Sequence, residues 1–241
     1  MNITATAVSL VGRRKNNEDA YLVAPELALY AVADGIGGYA GGEVASRLTV
    51  ESLESFIARN RRDAQGTWPC KEDKKLSFAE NLLRAAVRQA HEAIVKERRG
   101  ELDQMGSTVV AVLVDGRRAT LAHVGDSRIY RLRGGTLSQL TRDHSLWAEL
   151  EAAGMSPGER AGFPHKNVVT RALGIEAARP DLVTIELEPG DRLLLCSDGV
   201  HDPLDAAALR ELMEGDAGEV ARAAYEAGSS DNITAVLLDV H

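Results

Sequence analysis

The stretch VADGIGGYAGGEVAS, Val32 to Ser46, decides how this chain is read. It closes an apolar run, LALYAVAD, on Asp34. Five glycines stand among the next eight residues, and Glu43 then opens a segment of helical periodicity. Strand, glycine-rich turn and helix in that order usually cradle a phosphate on free backbone N–H groups. An aspartate at the strand end would crowd such a phosphate with like charge, which leaves the purpose of the glycines open. They let backbone and ligand approach closely. Gly35, Gly37 and Ala40 do satisfy the dinucleotide pattern G-x-G-x-x-[GA], and Glu54 follows about twenty residues on. Yet the segment after the first helix reads as a second helix, where a dinucleotide fold needs a paired strand.

Strand patterns precede the glycine turn at 2–11, 19–24 and 27–33, with Pro25 and Glu26 forming the turn between the last two. After it come helices at about 42–59 and 78–98. The first carries Leu53, Phe56 and Ile57 on one face. The second opens with Ser77 and Glu80 as a capping box and carries the stripe Leu83, Val87, Ala90, Ile94. The charged segment 61–75 between them reads as a surface loop. Four strands follow, STVVAVLV, RATLAHVG, SRIYRLR and TLSQLT, with hairpin chemistry at Asp115-Gly116 and Gly134-Gly135. A short helix near 144–153 leads into GMSPGERAGFPHKN, 154–167, a Gly/Pro-rich excursion expected to form a mobile flap. Strands DLVTIEL and DRLLLCS, helices at about 205–213 and 217–227, and the strand NITAVLLDV complete the chain. Hairpins and the absence of strict βαβ alternation predict an α+β fold, antiparallel sheets covered by helices.

The 241 residues permit one large domain or two small ones, and their 44% apolar content suffices for a sizeable core; with no clear linker, a single domain spanning 1–241 is the expectation. A net charge of −8 argues against nucleic acid or an anionic membrane as the main partner. Cys70 and Cys196 stand far apart and outside any C-x-x-C, which suits a reducing compartment and neither a disulfide framework nor a zinc site. The charges of the N-terminal segment follow its apolar part, the wrong order for a signal peptide, and no apolar run reaches the length of a membrane span. A soluble, cytoplasmic protein is the expectation.

The event at Asp34 recurs. TLAHVGD ends in Asp126, RLLLCSD ends in Asp198, Asp231 stands just before the last strand, and Glu18 and Asp19 open the second. A single strand-end aspartate is ordinarily a turn former or helix cap. Several gathered at one sheet edge repel one another unless a cation lies between them, and hard divalent ions with oxygen ligands, Mg²⁺ or Mn²⁺, suit such a set.

The stretches RRKNNEDA, VADGIGGYAGGEVAS, GSTVV, VGDSRIYRL, LTRDHS, VVTRALG, LLLCSDGVHD and SSDNITAVLLDV, in that order from about Arg14 to Leu238, resemble the motifs of the metal-dependent serine/threonine protein phosphatases of type 2C, in their compact bacterial form. The resemblance implies an antiparallel β-sandwich of two sheets flanked by pairs of helices, with a metal centre at one end. By motif, Asp34 resembles the acid that bridges two metals, and the Gly35 carbonyl a ligand of the second. Asp198 and Asp231 resemble ligands of the first, Glu18 the acid that holds second-metal waters, and Asp19 its supporting neighbour. Asp126 is similar to a ligand of a weaker third metal, shared with Asp198. Arg14 resembles the arginine that grips the substrate phosphate, with Arg13 a nearby competitor. The implied reaction is direct hydrolysis of phosphoserine or phosphothreonine esters by a hydroxide bridging two Mg²⁺ or Mn²⁺ ions. The implied partners are phosphoproteins and a serine/threonine kinase that the enzyme opposes. A catalytically silent phosphoprotein-binding domain is the alternative, and it would ordinarily have lost metal acids. Many relatives carry a histidine after the Asp-Gly pair as candidate general acid, whereas this chain has Ile36, which cannot donate a proton. A cysteine-phosphatase loop is excluded, because Leu76 and Asp202 stand where its arginine must be. His123 reads as a structural strand histidine, His144 as a helix-start residue, Cys196 as core and Trp147 as packing beside the flap.

Overall fold

The computed structural model describes residues 1–37, 41–61, 68, 71–156, 158–159, 163–165, 168–175 and 179–241. Eleven strands and six α-helices are formed among them. The strands are β1 Ile3–Leu10, β2 Asp19–Ala24, β3 Leu29–Ile36, β4 Gly106–Ser107, β5 Val109–Asp115, β6 Arg118–Val124, β7 Arg128–Arg133, β8 Thr136–Gln139, β9 Asp181–Glu186, β10 Arg192–Cys196 and β11 Ile233–Val240. The helices are α1 Gly41–Asn60, α2 Phe78–Glu97, α3 Leu146–Ala152, α4 Asp198–His201, α5 Ala206–Leu212 and α6 Ala217–Glu226.

One sheet has the order β1-β11-β10-β7-β8 and the other β2-β3-β5-β6-β9, with β4 added beside the end of β3. All strand pairs are antiparallel. That rules out the parallel βαβ unit of a dinucleotide fold, because β3 is flanked by antiparallel β2 and β5 and α1 leads into α2.

Alternation along the strands builds the layers, since successive side chains point to opposite faces. Leu29 and Ala31 of β3, with Val109, Ala111 and Leu113 of β5, face α1 and α2. Tyr30 and Val32, with Val110, Val112 and Val114, face the other sheet and meet Val236, Leu238 and Val240 of β11. The opposite face of β11, Ile233, Ala235 and Leu237, packs on Val200, Leu209 and the α6 residues Val220 and Ala221. Helices, sheet, sheet and helices therefore stack in four layers around three apolar interfaces, the α+β sandwich that was expected.

Two elements differ from the sequence reading. The second helical flank is three helices, because Asp198 does not simply end a strand but begins the one-turn helix α4. Pro25–Leu27 forms a 3₁₀ turn that closes through left-handed Ala28, so β3 starts at Leu29, two residues later than the pattern suggested. The capping box of α2 is formed as expected: Glu80 N–H donates to Ser77 Oγ, and Ser77 N–H donates to the Glu80 carboxylate. Much of the expected flap (157, 160–162 and 166–167), most of the loop 61–75, and Ala40 and Cys70 lie outside the described residues. No helix among the described residues is long and apolar enough to cross a membrane.

Candidate metal centre and cleft

The ends of β3 and β6, the start of α4 and the approach to β11 meet at one edge of the sandwich. They open on a cleft of about 480 Å³. Arg14, Glu18, Asp34, Gly35, Asp126, Asp198 and Asp231 all line it. Of the residues singled out in the sequence, Asp19 alone lies behind the cleft. It pairs with Asp34 across β2 and β3, and its Oδ2 accepts a hydrogen bond from Ser197 Oγ at 2.7 Å.

Local hydrogen bonding fixes this edge. Asp34 N–H donates to Thr108 Oγ1 at 3.0 Å, and that oxygen is 2.7 Å from Ser127 Oγ, next to Asp126. The Asp34 carbonyl accepts from Thr108 N–H at 2.8 Å. Asn232 holds the loop before β2: its Oδ1 accepts from Glu18 N–H at 2.8 Å, and its Nδ2 donates to the Val11 and Asn16 carbonyls. The glycine turn does what its sequence suggested. A Cβ on Gly42 would stand 2.8 Å from Glu18 Oε2 and 2.9 Å from the Gly35 carbonyl oxygen. The missing side chain is the space into which a carboxylate and a backbone oxygen converge.

The electrostatics are those of an acid cluster whose five carboxylates outnumber the cationic groups beside them. Burial, then Asp19, Asp198, Asp126 and Asp231, pushes the Asp34 carboxyl well above its ordinary range. Burial, then Asp126 and Asp231, does the same to Asp198. Burial and Asp143 raise Asp126 to about 7, and burial raises Asp19 to about 6. Glu18 is raised by burial. Asp198 Oδ1 is buried with no hydrogen-bond partner. Carboxylates that converge and repel one another, one of them with an oxygen that finds no donor, fit a hard divalent cation. Two cationic side chains line the cleft among the described residues, Arg14 and Arg171. Arg14 Nη2 donates to Asp231 Oδ2 at 2.6 Å, and that bond raises the guanidinium pKa.

A second group of ligand-type side chains, His123, His144 and Asp181, has its atoms within 4.8 Å of one another. His144 and Asp181 are already engaged, which makes them poor ligands, whereas both ring nitrogens of His123 are buried without a hydrogen-bond partner among the described residues. Gly125 N–H donates to His144 Nδ1 at 3.1 Å, so the ring's proton sits on Nε2, which meets Asp181 Oδ2 at 3.2 Å. A metal at Nε2 would force Nδ1–H against Gly125 N–H. His123 stacks on His144 at 4.4 Å, and Cys196 is core, the latter as expected.

Several contributors escaped the sequence reading. Asp202 adds to the charge that raises the carboxyl pKa of both Asp126 and Asp198, and it lies with Asp198 on a neighbouring hollow. Its signal was its place four residues after Asp198, one helical turn on. Thr108, Asn232 and Arg171 stood inside quoted motifs without an assigned task, and His201 had no signal beyond its place beside Asp202.

Residues 9–237 match the protein phosphatase 2C family. The chain is 36% identical over 237 residues to the serine/threonine protein phosphatase PstP of Mycobacterium tuberculosis, covering 94% of this chain and 43% of that protein. It thus spans less than half the length of that curated relative. A crystal structure of the M. tuberculosis serine/threonine phosphatase PstP superposes with a TM-score of 0.86 at 34% identity, with full coverage of both chains. A structure of the catalytic domain of PstP in complex with two manganese ions superposes with a TM-score of 0.82 at 35% identity, covering 99% of each chain. With the fold, the acid edge and the sequence match in agreement, this chain belongs to the protein phosphatase 2C family.

Proposed function

We propose that this chain is a single catalytic domain that hydrolyses phosphoserine and phosphothreonine esters of proteins with the help of two tightly bound Mg²⁺ or Mn²⁺ ions and a weaker third. The observation that carries the reading is the convergence of Glu18, Asp34, Asp126, Asp198 and Asp231 on one cleft, with Asp198 Oδ1 buried and unpartnered. Asp34, the Gly35 carbonyl, Asp198 and Asp231 would hold the tight pair, with Glu18 holding its water and Asp19 supporting from behind. Asp126, Asp198 and Asp202 would hold the third. When bound, such a pair neutralises the acids, lowers the pKa of a water and steadies an in-line displacement at phosphorus.

The protein's own share is placement. Thr108 and Ser127 fix Asp34 relative to Asp126. Asp231 uses one N–H of Arg14, and the rest of the guanidinium fork serves the incoming phosphate. Ile36 lines the cleft with no proton to give, so the leaving oxygen is not protonated from that position. The physiological substrates are phosphoproteins, the site is cytoplasmic, and the opposing enzyme is a serine/threonine kinase. Segment 154–167, which follows the helix carrying Trp147 in the chain, contributes to choice of protein substrate.

The deciding experiment is release of p-nitrophenol from p-nitrophenyl phosphate, followed by phosphate release from a phosphothreonine peptide. Both should require Mn²⁺ and stop with EDTA. Phosphopeptide binding without turnover at any metal concentration would convert the chain into a silent phosphoprotein-binding domain.

A further inference from the structure

His144 follows Asp143 in the stretch TRDHS, where a helix-start role is the ordinary reading. The cap of α3 is in fact Ser145, whose side chain accepts from Ala148 N–H. His144 is buried and all its polar groups are engaged, in two directions. Toward the metal edge it holds both backbone groups of Gly125: its N–H donates to the Gly125 carbonyl at 2.7 Å, and its Nδ1 accepts from Gly125 N–H at 3.1 Å. Toward the cleft wall, its carbonyl accepts from Thr170 N–H at 2.8 Å, and its Nε2–H donates to Asp181 Oδ2. Asp181 Oδ1 in turn accepts from Arg171 Nη1 at 2.7 Å. Thr170 and Arg171 line the cleft, as does Asp126, the residue after Gly125.

We propose that His144 is a positioning residue that sets the orientation of Asp126 and couples it to the cleft wall formed by Thr170 and Arg171. The peptide it holds has little stiffness of its own. Gly125 has φ +105°, and a Cβ there would lie 2.6 Å from the Thr108 side chain, so no other residue can take its place to stiffen the turn. The Asp126 carbonyl is held from the far side by His201 Nε2 at 3.0 Å. The segment is thus suspended between two buried histidines, and of the two only His144 also touches the wall past which a substrate enters. Displacement of Arg171 is carried through Asp181 and the imidazole ring, and that of Thr170 through the His144 backbone, to Gly125 and so to the backbone of Asp126.

The inference rests on the phosphatase reading, and its test separates the two. Asparagine places Oδ1 where Nδ1 stands and keeps the acceptor for Gly125. Glutamine reaches the Nε2 position and keeps the donor to Asp181 but abandons Gly125. Calorimetric titration with Mn²⁺ alone, beside kinetics on a phosphothreonine peptide, should show His144→Gln weakening the weakest binding event by about tenfold and lowering kcat, with His144→Asn affected less. Asp181→Ala, which leaves the Gly125 clamp in place, should act mainly on KM. Nitrogen-15 NMR of the wild type should show the Nε2–H tautomer at His144 irrespective of activity. A wild-type Nδ1–H tautomer, equal effects of the Asn and Gln variants, or losses that merely follow melting temperature would each overturn the proposal. An inactive wild type with the expected tautomer and metal titrations would instead overturn the phosphatase reading.

Discussion

Arg13 and Arg14 are adjacent in sequence and end in different chemistry. The Arg13 guanidinium lies over the Tyr225 ring, 5.6 Å from its centroid, while Arg14 reaches the cleft and Asp231. Arg14→Ala should therefore lower kcat/KM for phosphopeptides by about ten- to a hundredfold, mostly through KM, as expected for a charge-assisted contact of roughly 1.5–3 kcal/mol. Arg13→Ala should not. Steady-state kinetics on both variants checks this, and a loss confined to Arg13→Ala would reverse the assignment. Asp34 stands where repulsion from four other acids converges. Asp34→Asn should lower turnover at saturating Mn²⁺ by at least about a hundredfold, because hydrolysis relies on charge placed at that point. The same change should raise the melting temperature of the metal-free protein by relieving like-charge repulsion. Wild-type turnover in this variant would refute a bridging role.

At the scale of elements, the entry to α1 matters most. Gly42 lies in its first turn, where Glu18 and the Gly35 carbonyl approach too closely for any side chain. Gly42→Ala should push both oxygens aside and weaken Mn²⁺ binding about tenfold or more. In EDTA the cost in stability should be the ordinary ~1–3 kcal/mol of overpacking. Calorimetry and denaturant unfolding read the two effects separately. Unchanged Mn²⁺ affinity would show that the glycine turn only shapes the chain. The connection from β4 to the wall is equally local. Ser107 exchanges backbone hydrogen bonds with Leu173, and Gly174 N–H donates to His91 Nδ1, so the wall residue Ile175 is carried on α2.

For the whole molecule, the acid edge stores repulsion that the four-layer core must withstand when cations are removed. The folded-state carboxyls of Asp126, about 7, and Asp34 and Asp198, well above the ordinary range, bind protons that the unfolded chain has already released. Stability of the metal-free protein therefore falls as pH rises through those values. Buried His123 and His201, each lowered to about 4, act in the opposite direction: their contribution is lost as pH falls from the ordinary 6.5 toward 4. Above about pH 6.5 they are neutral in both states, so the acids alone set the slope. Unfolding in EDTA should show stability falling as pH rises from about 6.5 through the Asp126 value of about 7, and saturating Mn²⁺ should remove or reverse the slope. A flat profile in EDTA would mean that the acids relax apart once the cations leave.

Much of this was legible in the residues. Period-two alternation in LALYAVAD and ITAVLLDV, the hairpin turns and the Ser77–Glu80 capping box each specify local structure through short-range geometry, and the fold class follows from their order. The acids were legible one at a time, three of them as strand-end aspartates beside glycine, and their common purpose came from motif order. Their convergence was not legible, because Glu18 and Asp231 are brought together by the pairing of β1 with β11, a contact across almost the entire chain. Nor were the tasks of Thr108, Asn232 and His144: a hydroxyl, an amide or an imidazole has no preference for a partner until the fold supplies one. Local propensity sets the elements and the alternation of apolar residues sets the layers. Which oxygens face one another, and which donors hold them there, depends on contacts between residues far apart in sequence and was decided only by the tertiary structure.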